Sequence, residues 1–533
     1  MKLTFIGACH EVTGSCFLLQ HDGLNILIDS GMKQGASDLV SVPLPINEWE
    51  IDYIFLTHAH IDHSGNIPYL YKKGFRGKVI CTIGTKELSN IMLKDSAYIQ
   101  MSDAAWINKH NERSGKEKVE PLYTIEDVEN VLKRFEAYDY QDIISISDNI
   151  SIVFQDAGHL LGSASIIVML GTKSDYTSIV FSGDIGNENQ PLIKNPSNII
   201  SQVDYVVMES TYGNRLHEKP KDYISLLASI IQKTFDRGGD LIIPSFAVGR
   251  AQELLYFIRE IKEKNMIKNH PNFKVYLDSP LANEATEIYD KRVLSYCNSE
   301  TAALIEQGIN PIIFNGLVRT TSVLDSKAIS ANENPKIIIS AAGMCDAGRI
   351  RHHLKHNLWR SECTIMFVGY QAVGTLGRII LDGATKVKIF GEEIKVSAEI
   401  IQFPGISAHA DSNGLVKWIS ALSEKPKKVF VVHGDDNSTI SFCHRLIDEY
   451  GLDAVAPYSG TEYNLLTNEF EHTAGPTRIA ITSHGNSFSK SFSKLLDAYE
   501  NLGEVVNMYE YCANKDIEKF TTQICDLAQR WDD

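Results

Sequence analysis

Thr57-His58-Ala59-His60-Ile61-Asp62-His63-Ser64-Gly65 is the stretch that decides the reading of this chain. Four strong metal-binding side chains fall within six residues, directly after the apolar run Tyr53-Ile54-Phe55-Leu56, which reads as a buried strand. Such a strand delivers its last residues to the edge of a sheet, where a loop can fold the following side chains round a common centre. His58 and His60, two apart, can point the same way, with Asp62 and His63 on the tight turn beyond. Imidazole and carboxylate are the borderline donors that divalent zinc takes. The alternative, a His-rich exposed turn, leaves the H-x-H-x-D-H spacing after an apolar strand unexplained. Two histidines do not complete a site, so further ligands are expected downstream.

The same device recurs outward in both directions. Upstream, residues 3–6, 15–19 and 25–29 read as a short antiparallel meander whose last strand ends in Asp29, just before Ser30-Gly31. Asp29 is either a turn former or a carboxylate that orients the histidine cluster. Downstream, strand 150–154 leads into Asp156-Ala157-Gly158-His159, strand 179–181 into Ser182-Gly183-Asp184, and strand 205–208 into Glu209. An isolated His159 would be an ordinary core histidine. A series of apolar strands that each close on such a residue reads as one rim of a sheet carrying a metal site. Near the far end, strand 400–403 precedes Ser407-Ala408-His409-Ala410-Asp411, where His409 is expected to supply the last ligand. His433, after strand 429–432, reads as a structural turn histidine outside the metal shell. Helices are expected at 67–73, 85–100 and 124–138, with Trp106 and His110 in a polar loop.

Between Glu209 and His409, helices 223–235 and 251–264 alternate with strands 240–243, 273–277, 336–339 and 363–368, which implies a parallel sheet covered on both faces. Loops beyond the carboxyl ends of such strands are the usual ligand site. Here they hold Ser245, Arg250, Ser279, Ser340, Arg349 and Arg378, whose hydroxyls, neighbouring backbone N–H groups and guanidiniums suit phosphate oxygens. Any one of these Gly-rich loops would equally serve as a plain turn.

Glu209-Ser210-Thr211-Tyr212-Gly213-Asn214, the inserted α/β segment, the Gly369-Tyr370-Gln371…Gly374-Thr375-Leu376-Gly377 loop and Ser407-Ala408-His409-Ala410-Asp411 accompany the histidine cluster in one order. Together they resemble the β-CASP branch of the metallo-β-lactamase superfamily, RNA-processing nucleases related to the polyadenylation endonuclease and ribonuclease J. The resemblance covers residues 1–465. It implies an α/β fold: a metallo-β-lactamase αββα sandwich from residues 1–208 and a return segment 386–465, a β-CASP parallel α/β domain inserted at 209–385, and a small C-terminal α/β appendage, 466–533. It further implies two zinc ions, one on His58, His60 and His159, the other on Asp62, His63 and His409, with Asp184 bridging and Asp29 in support. Asp62, Glu209 and His409 would serve catalysis, Glu209 by relaying a proton. The implied activity is zinc-dependent cleavage of single-stranded RNA, by an endonuclease of the cytoplasm, in the cleft between the domains. One position departs from the pattern: the polyadenylation branch has a histidine third after Gly-Thr-Leu, where this chain has Ile379. His352, His353 and His356 are candidates to take the place of that histidine as general acid, but read rather as the face of a helix near the RNA path or as solvated residues.

Composition sets the outer bounds. The 533 residues are 44% hydrophobic and 22% charged, ordinary for a globular protein of several domains. No apolar run is long enough to span a membrane, so no membrane partner is expected. Nine scattered cysteines without a C-x-x-C pair fit a reducing compartment and argue against a cysteine metal site. A net charge of −16 is awkward for binding phosphates unless positive potential is confined to the cleft and its metal ions. The rival readings are a small-molecule hydrolase, which would not need the long insertion, a DNA nuclease of the same fold, and an inactive scaffold, against which all seven intact ligand positions speak. For residues beyond 465, a strand at 478–482 and helices at 488–499 and 517–531 are expected, with dimerisation or partner docking as their role.

Overall fold

The computed structural model describes residues 1–35, 39–172, 175–199, 202–217, 222–372, 374–404, 407–478 and 519–525. The chain divides into two compact units, 1–476 and 477–533. The first unit is built on two facing sheets. One runs in the spatial order Glu469–His472, Glu462–Asn464, Lys2–Gly7, Cys16–His21, Leu24–Ile28, Tyr53–Phe55, Lys78–Thr82, Phe135–Tyr138. The other runs Ala454–Val455, Lys428–Val432, Tyr205–Glu209, Asp175–Phe181, Ala164–Thr172, Ile150–Asp156, Ile144–Ser147.

Period-two alternation explains the layering. Leu3, Phe5, Phe17, Leu19, Ile26 and Ile28 of the first sheet meet Ile152, Phe154, Ile166, Phe181, Val207 and Phe430 of the second in one core. The intervening residues face outward and are apolar as well. Leu18, Leu27 and Ile54 lie under helical residues such as Leu70 and Leu93, and Val206, Val429 and Val431 under Leu415, Trp418 and Phe442. Strands apolar on both faces must be covered on both, which gives the expected αββα sandwich.

The inserted sheet is parallel throughout, in the order Leu317–Arg319, Lys274–Leu277, Lys336–Ser340, Leu241–Pro244, Thr364–Phe367, Glu399–Gln402. Its Ile243, Leu277 and Ile339 pack under helices Tyr223–Asp236, Arg250–Glu263 and Pro280–Tyr296, and its Ile242, Ile338 and Ile365 under helix Ile350–Asn357. The first of these cores also takes in Ala59, Leu88, Leu160 and Leu161 of the sandwich, so insertion and sandwich share apolar packing.

Local expectations fail at three places. Residues 101–114 are not a polar loop: helix Ile83–Ser114 runs unbroken through Trp106 and His110 until Gly115, at φ 66°, ends it. The helix expected at 124–138 stops at Leu132, because Phe135–Tyr138 pairs with Val79–Thr82 as the edge strand of the first sheet. The limits at 385 and 466 also move: Glu399–Gln402 still belongs to the inserted sheet, and Glu469–His472 pairs with Glu462–Asn464 in the first. Apart from residue 478 and a helical stretch at 519–525, the strand expected at 478–482 and the helices expected at 488–499 and 517–531 lie outside the described residues.

Candidate metal centre

The strand ends of both sandwich sheets converge at one point. Gly31 and Ser30 clamp the His-rich loop: Ser15 N–H donates to the Asp62 carbonyl and Ser30 N–H to that of His63, both at 2.8 Å. A Cβ on Gly31 would lie 1.6 Å from the Asp62 oxygen, so only glycine permits this approach. Asp29 is held at φ 58° behind the loop. It accepts from Thr57 N–H at 2.8 Å and from His63 Nδ1 at 2.7 Å, and so turns the His63 Nε2 lone pair toward the centre. Backbone strain of this kind persists only where the surroundings over-determine it.

Four donor atoms form a first group. His60 Nδ1 stands 3.1 Å from His58 Nε2 and 3.3 Å from His159 Nε2, and Asp184 Oδ2 stands 3.3 Å from His58 Nε2 and 3.5 Å from His159 Nε2. Atoms each about 2.0–2.1 Å from one tetrahedral zinc lie roughly 3.3 Å apart, so this group has the spacing of a ligand shell. Its protonation agrees. Burial lowers the pKa of His58 and His159, and brings His60 to about 3, which leaves imidazole lone pairs free. Burial works against the charge of Asp184, yet the histidines around it, His63 foremost, hold its carboxyl well below the usual range.

A second group adjoins the first through the same aspartate. His63 Nε2 is 3.3 Å from Asp184 Oδ1 and 3.0 Å from His433 Nε2, and His433 Nε2 is 3.7 Å from Asp62 Oδ2. Asp184 Oδ1 is buried without a hydrogen-bond partner, an arrangement that a cation between the groups would satisfy. This corrects two expectations. His433, read as a turn histidine outside the shell, is the imidazole that meets Asp62 and His63, while His409 is not the residue beside them. The reason is strand order. Lys428–Val432 pairs with Tyr205–Glu209 inside the metal-bearing sheet and delivers His433, at φ 50°, straight to the centre. The strand before His409 pairs with Thr364–Phe367 in the inserted sheet.

His409 arrives from the other side. Its Nδ1–H donates to Glu209 Oε1 at 3.1 Å, and its Nε2 faces Asp184 Oδ2 from 4.0 Å. Glu209 is fully buried and is held by the backbone N–H groups of Ile185, at 2.7 Å, and Thr211, at 3.1 Å. Burial opposes a charged imidazole, but the Glu209 and Asp184 carboxylates prevail and hold the His409 pKa at about 9.

The residues expected to contact phosphate fare differently. Ser245 and Ser340 are buried and donate their hydroxyls to the carbonyls of Phe246 and Asp278. Ser279 caps helix Pro280–Tyr296, and Arg250 is buried in an ion pair with Glu253. Arg349 donates to Asp278 at 2.7 Å and to the Thr321 carbonyl at 2.7 Å. Arg378 is half-exposed and pairs with Asp382 at 2.8 Å. In the histidine helix His353 is buried and bonded to Asp278 at 2.6 Å, and Ile379 is exposed.

Three family models match the chain in the order of its domains: the metallo-β-lactamase superfamily over residues 11–196, the β-CASP domain over 251–380, and the zinc-dependent metallo-hydrolase RNA specificity domain over 393–457. A ribonuclease of Thermus thermophilus is 34% identical over 442 residues, which is 83% of this chain and 95% of the relative. A transcription termination factor of Methanosarcina mazei is 33% identical over 470 residues, 86% of this chain and 70% of the relative. An RNase J-like protein of Methanocaldococcus jannaschii is 29% identical over 461 residues, 86% and 98% of the two chains. No helix among the described residues is long and apolar enough to cross a membrane. With sandwich, insertion and return segment matched in one order, and with the histidine and aspartate side chains converging at their junction, this chain belongs to the β-CASP branch of the metallo-β-lactamase superfamily, a branch of metal-dependent hydrolases.

Proposed function

We propose that the chain is a zinc-dependent ribonuclease that cuts RNA internally, with one ion held by His58, His60, His159 and Asp184 and a second by Asp62, His63, His433 and Asp184. The observation that carries this is Asp184, whose two carboxylate oxygens face the two donor groups separately, 3.3 Å from His58 on one side and 3.3 Å from His63 on the other. Bound there, a pair of divalent ions supplies charge to offset the phosphate oxygens and a nucleophilic water near neutral pH. The chain's own groups do the rest. Asp29 fixes the tautomer of His63 so that Nε2 stays an acceptor. Glu209, pinned by two backbone N–H groups, holds the His409 ring through Nδ1 and leaves Nε2 at the edge of the centre. From there His409 is suited to hand a proton to the leaving oxygen, with Glu209 stabilising the imidazolium beforehand. The RNA relatives and the matched RNA specificity domain support the choice of substrate.

The test is to incubate zinc-loaded protein with end-labelled RNA and a DNA of matched sequence, alongside elemental analysis. Internal fragments from RNA and two zinc ions per chain are expected. Intact RNA at full zinc loading would sink the activity, and a single ion per chain would sink the paired centre.

A further inference from the structure

Among the described residues, Phe246 and Tyr370 are exposed aromatic residues just beyond the strands Leu241–Pro244 and Thr364–Phe367 of the inserted sheet, at 49% and 51% exposure. They stand on neighbouring loops, because Leu241–Pro244 and Thr364–Phe367 are paired. The Phe246 loop meets the loop that bears His159: a Cβ on Gly249 would stand 3.2 Å from Leu160 Cδ1. Ala247 and Val248, next along the chain from Phe246, pack in one cluster with Ala59 and Leu160, which flank the ligand histidines. Two glycines border the Phe246 ring: a Cβ built on Gly343 would stand 3.5 Å from its Cδ2 and one on Gly369 would stand 3.9 Å from its Cε2, so neither position puts a side chain over it. On the loops of this sheet Ser245 and Ser340 donate to carbonyls, Ser279 caps a helix, and Arg250 and Arg349 are paired with Glu253 and Asp278.

An aromatic ring held open beside a phosphodiester-cleaving centre has a natural ligand in the flat face of an unpaired base. We propose that Phe246 and Tyr370 form a base-stacking platform that seats unpaired nucleotides of the RNA next to the metal centre. The platform rests on the ribonuclease reading and extends it to the strandedness of the substrate: bases stacked in a duplex have no face to offer, whereas those of a single strand do. It also accounts for RNA binding by an acidic chain, since stacking needs no cationic surface. Phe246 and Tyr370 are positioning residues here and take no part in bond breaking.

The experiment is cleavage by the zinc-loaded full chain of a single-stranded RNA and of the same RNA with abasic nucleotides flanking the cut, for wild type and Phe246→Ala, Tyr370→Ala, Phe246→Leu and Phe246→Trp. Both alanine variants are expected to raise the half-saturating concentration of intact RNA about ten-fold, the size typical of one lost base–aromatic stack. Phe246→Trp should restore wild-type behaviour and Phe246→Leu should not. On abasic RNA the wild type should lose its advantage over the variants. Unchanged half-saturation in both alanine variants, rescue by leucine, or an equal loss on abasic RNA would overturn the platform while leaving the ribonuclease intact. A wild-type protein that neither binds nor cuts RNA would remove the ribonuclease reading, and the platform with it. Thermal melting of each variant shows that the folds compared are the same.

Discussion

At the metal centre Asp184 keeps one buried oxygen without a hydrogen-bond donor, whereas Asp278, equally buried at a strand end of the inserted sheet, is met by His353, Arg349, Thr320 and Ser326. Both are aspartates at carboxyl ends of apolar strands and both sit beside histidine. The difference is saturation. A carboxylate whose acceptors are filled by the protein is a joist of the fold, and a buried one that keeps an acceptor among imidazole nitrogens is suited to a cation. The surplus of mutually close imidazole nitrogens around Asp184 makes the same point, since one proton between two rings cannot satisfy three of them.

The largest expected break of this contrast is Asp184→Ala. It removes a donor from both groups at once, and should lower hydrolysis by about a thousand-fold or more while zinc content falls, read by elemental analysis and RNA cleavage together. Next comes His409→Ala, with a loss of about a hundred-fold in RNA cleavage at unchanged zinc content. A phosphodiester with a p-nitrophenolate leaving group, which needs no protonation, should be far less affected. Equal losses on both substrates would return His409 to the metal shell. Asp278→Ala tests the saturated side. Leaving Arg349 and His353 without their partner should cost about 3 kcal/mol of stability by denaturant unfolding, with the zinc-binding stoichiometry of the folded protein unaltered. The Asp278 carboxyl is held well below its ordinary value, with burial opposing and His353, Ser326, Thr320 and Arg349 prevailing. Its contribution is therefore present above the unfolded carboxylate pKa near 4 and is lost as pH falls below it. The smallest effect is expected for Arg378→Ala. Its exposed pair with Asp382 is worth about 0.5 kcal/mol, so a melting curve should scarcely move.

Much of the centre was legible because its signals are local. Apolar strands that close on His58, Asp184 or Glu209 declare themselves in a few residues, as continuous apolar runs that read as buried strands. What escaped was non-local. His409 and His433 look alike in sequence, each following a short apolar run, and only strand pairing distinguishes them. A usable signal did exist: Val429 to Val432 is apolar without interruption, as a strand buried on both faces must be, whereas the run before His409 is Glu399-Ile400-Ile401-Gln402. The arginines misled for a related reason. Residue type shows that Arg250 and Arg349 can bind phosphate, but not that Glu253 and Asp278 already occupy them. Helix Ile83–Ser114 was cut short because its second half is polar, although the chain holds no glycine or proline there to stop it before Gly115.

The apolar cluster joining Ala59, Leu88 and Leu160 to Val248, Leu255 and Phe403 has a consequence for anyone wishing to shrink this protein. Excising the insertion and closing the gap with a linker would not release a minimal hydrolase from a detachable cap. It would strip the cover from Leu88, Ile91, Met92, Leu160 and Leu161, each worth roughly 1.5–3 kcal/mol when buried. The loop bearing His159 would lose its floor. The candidate metal centre and the insertion thus rest on a single foundation, and a truncated chain should precipitate before it could be assayed.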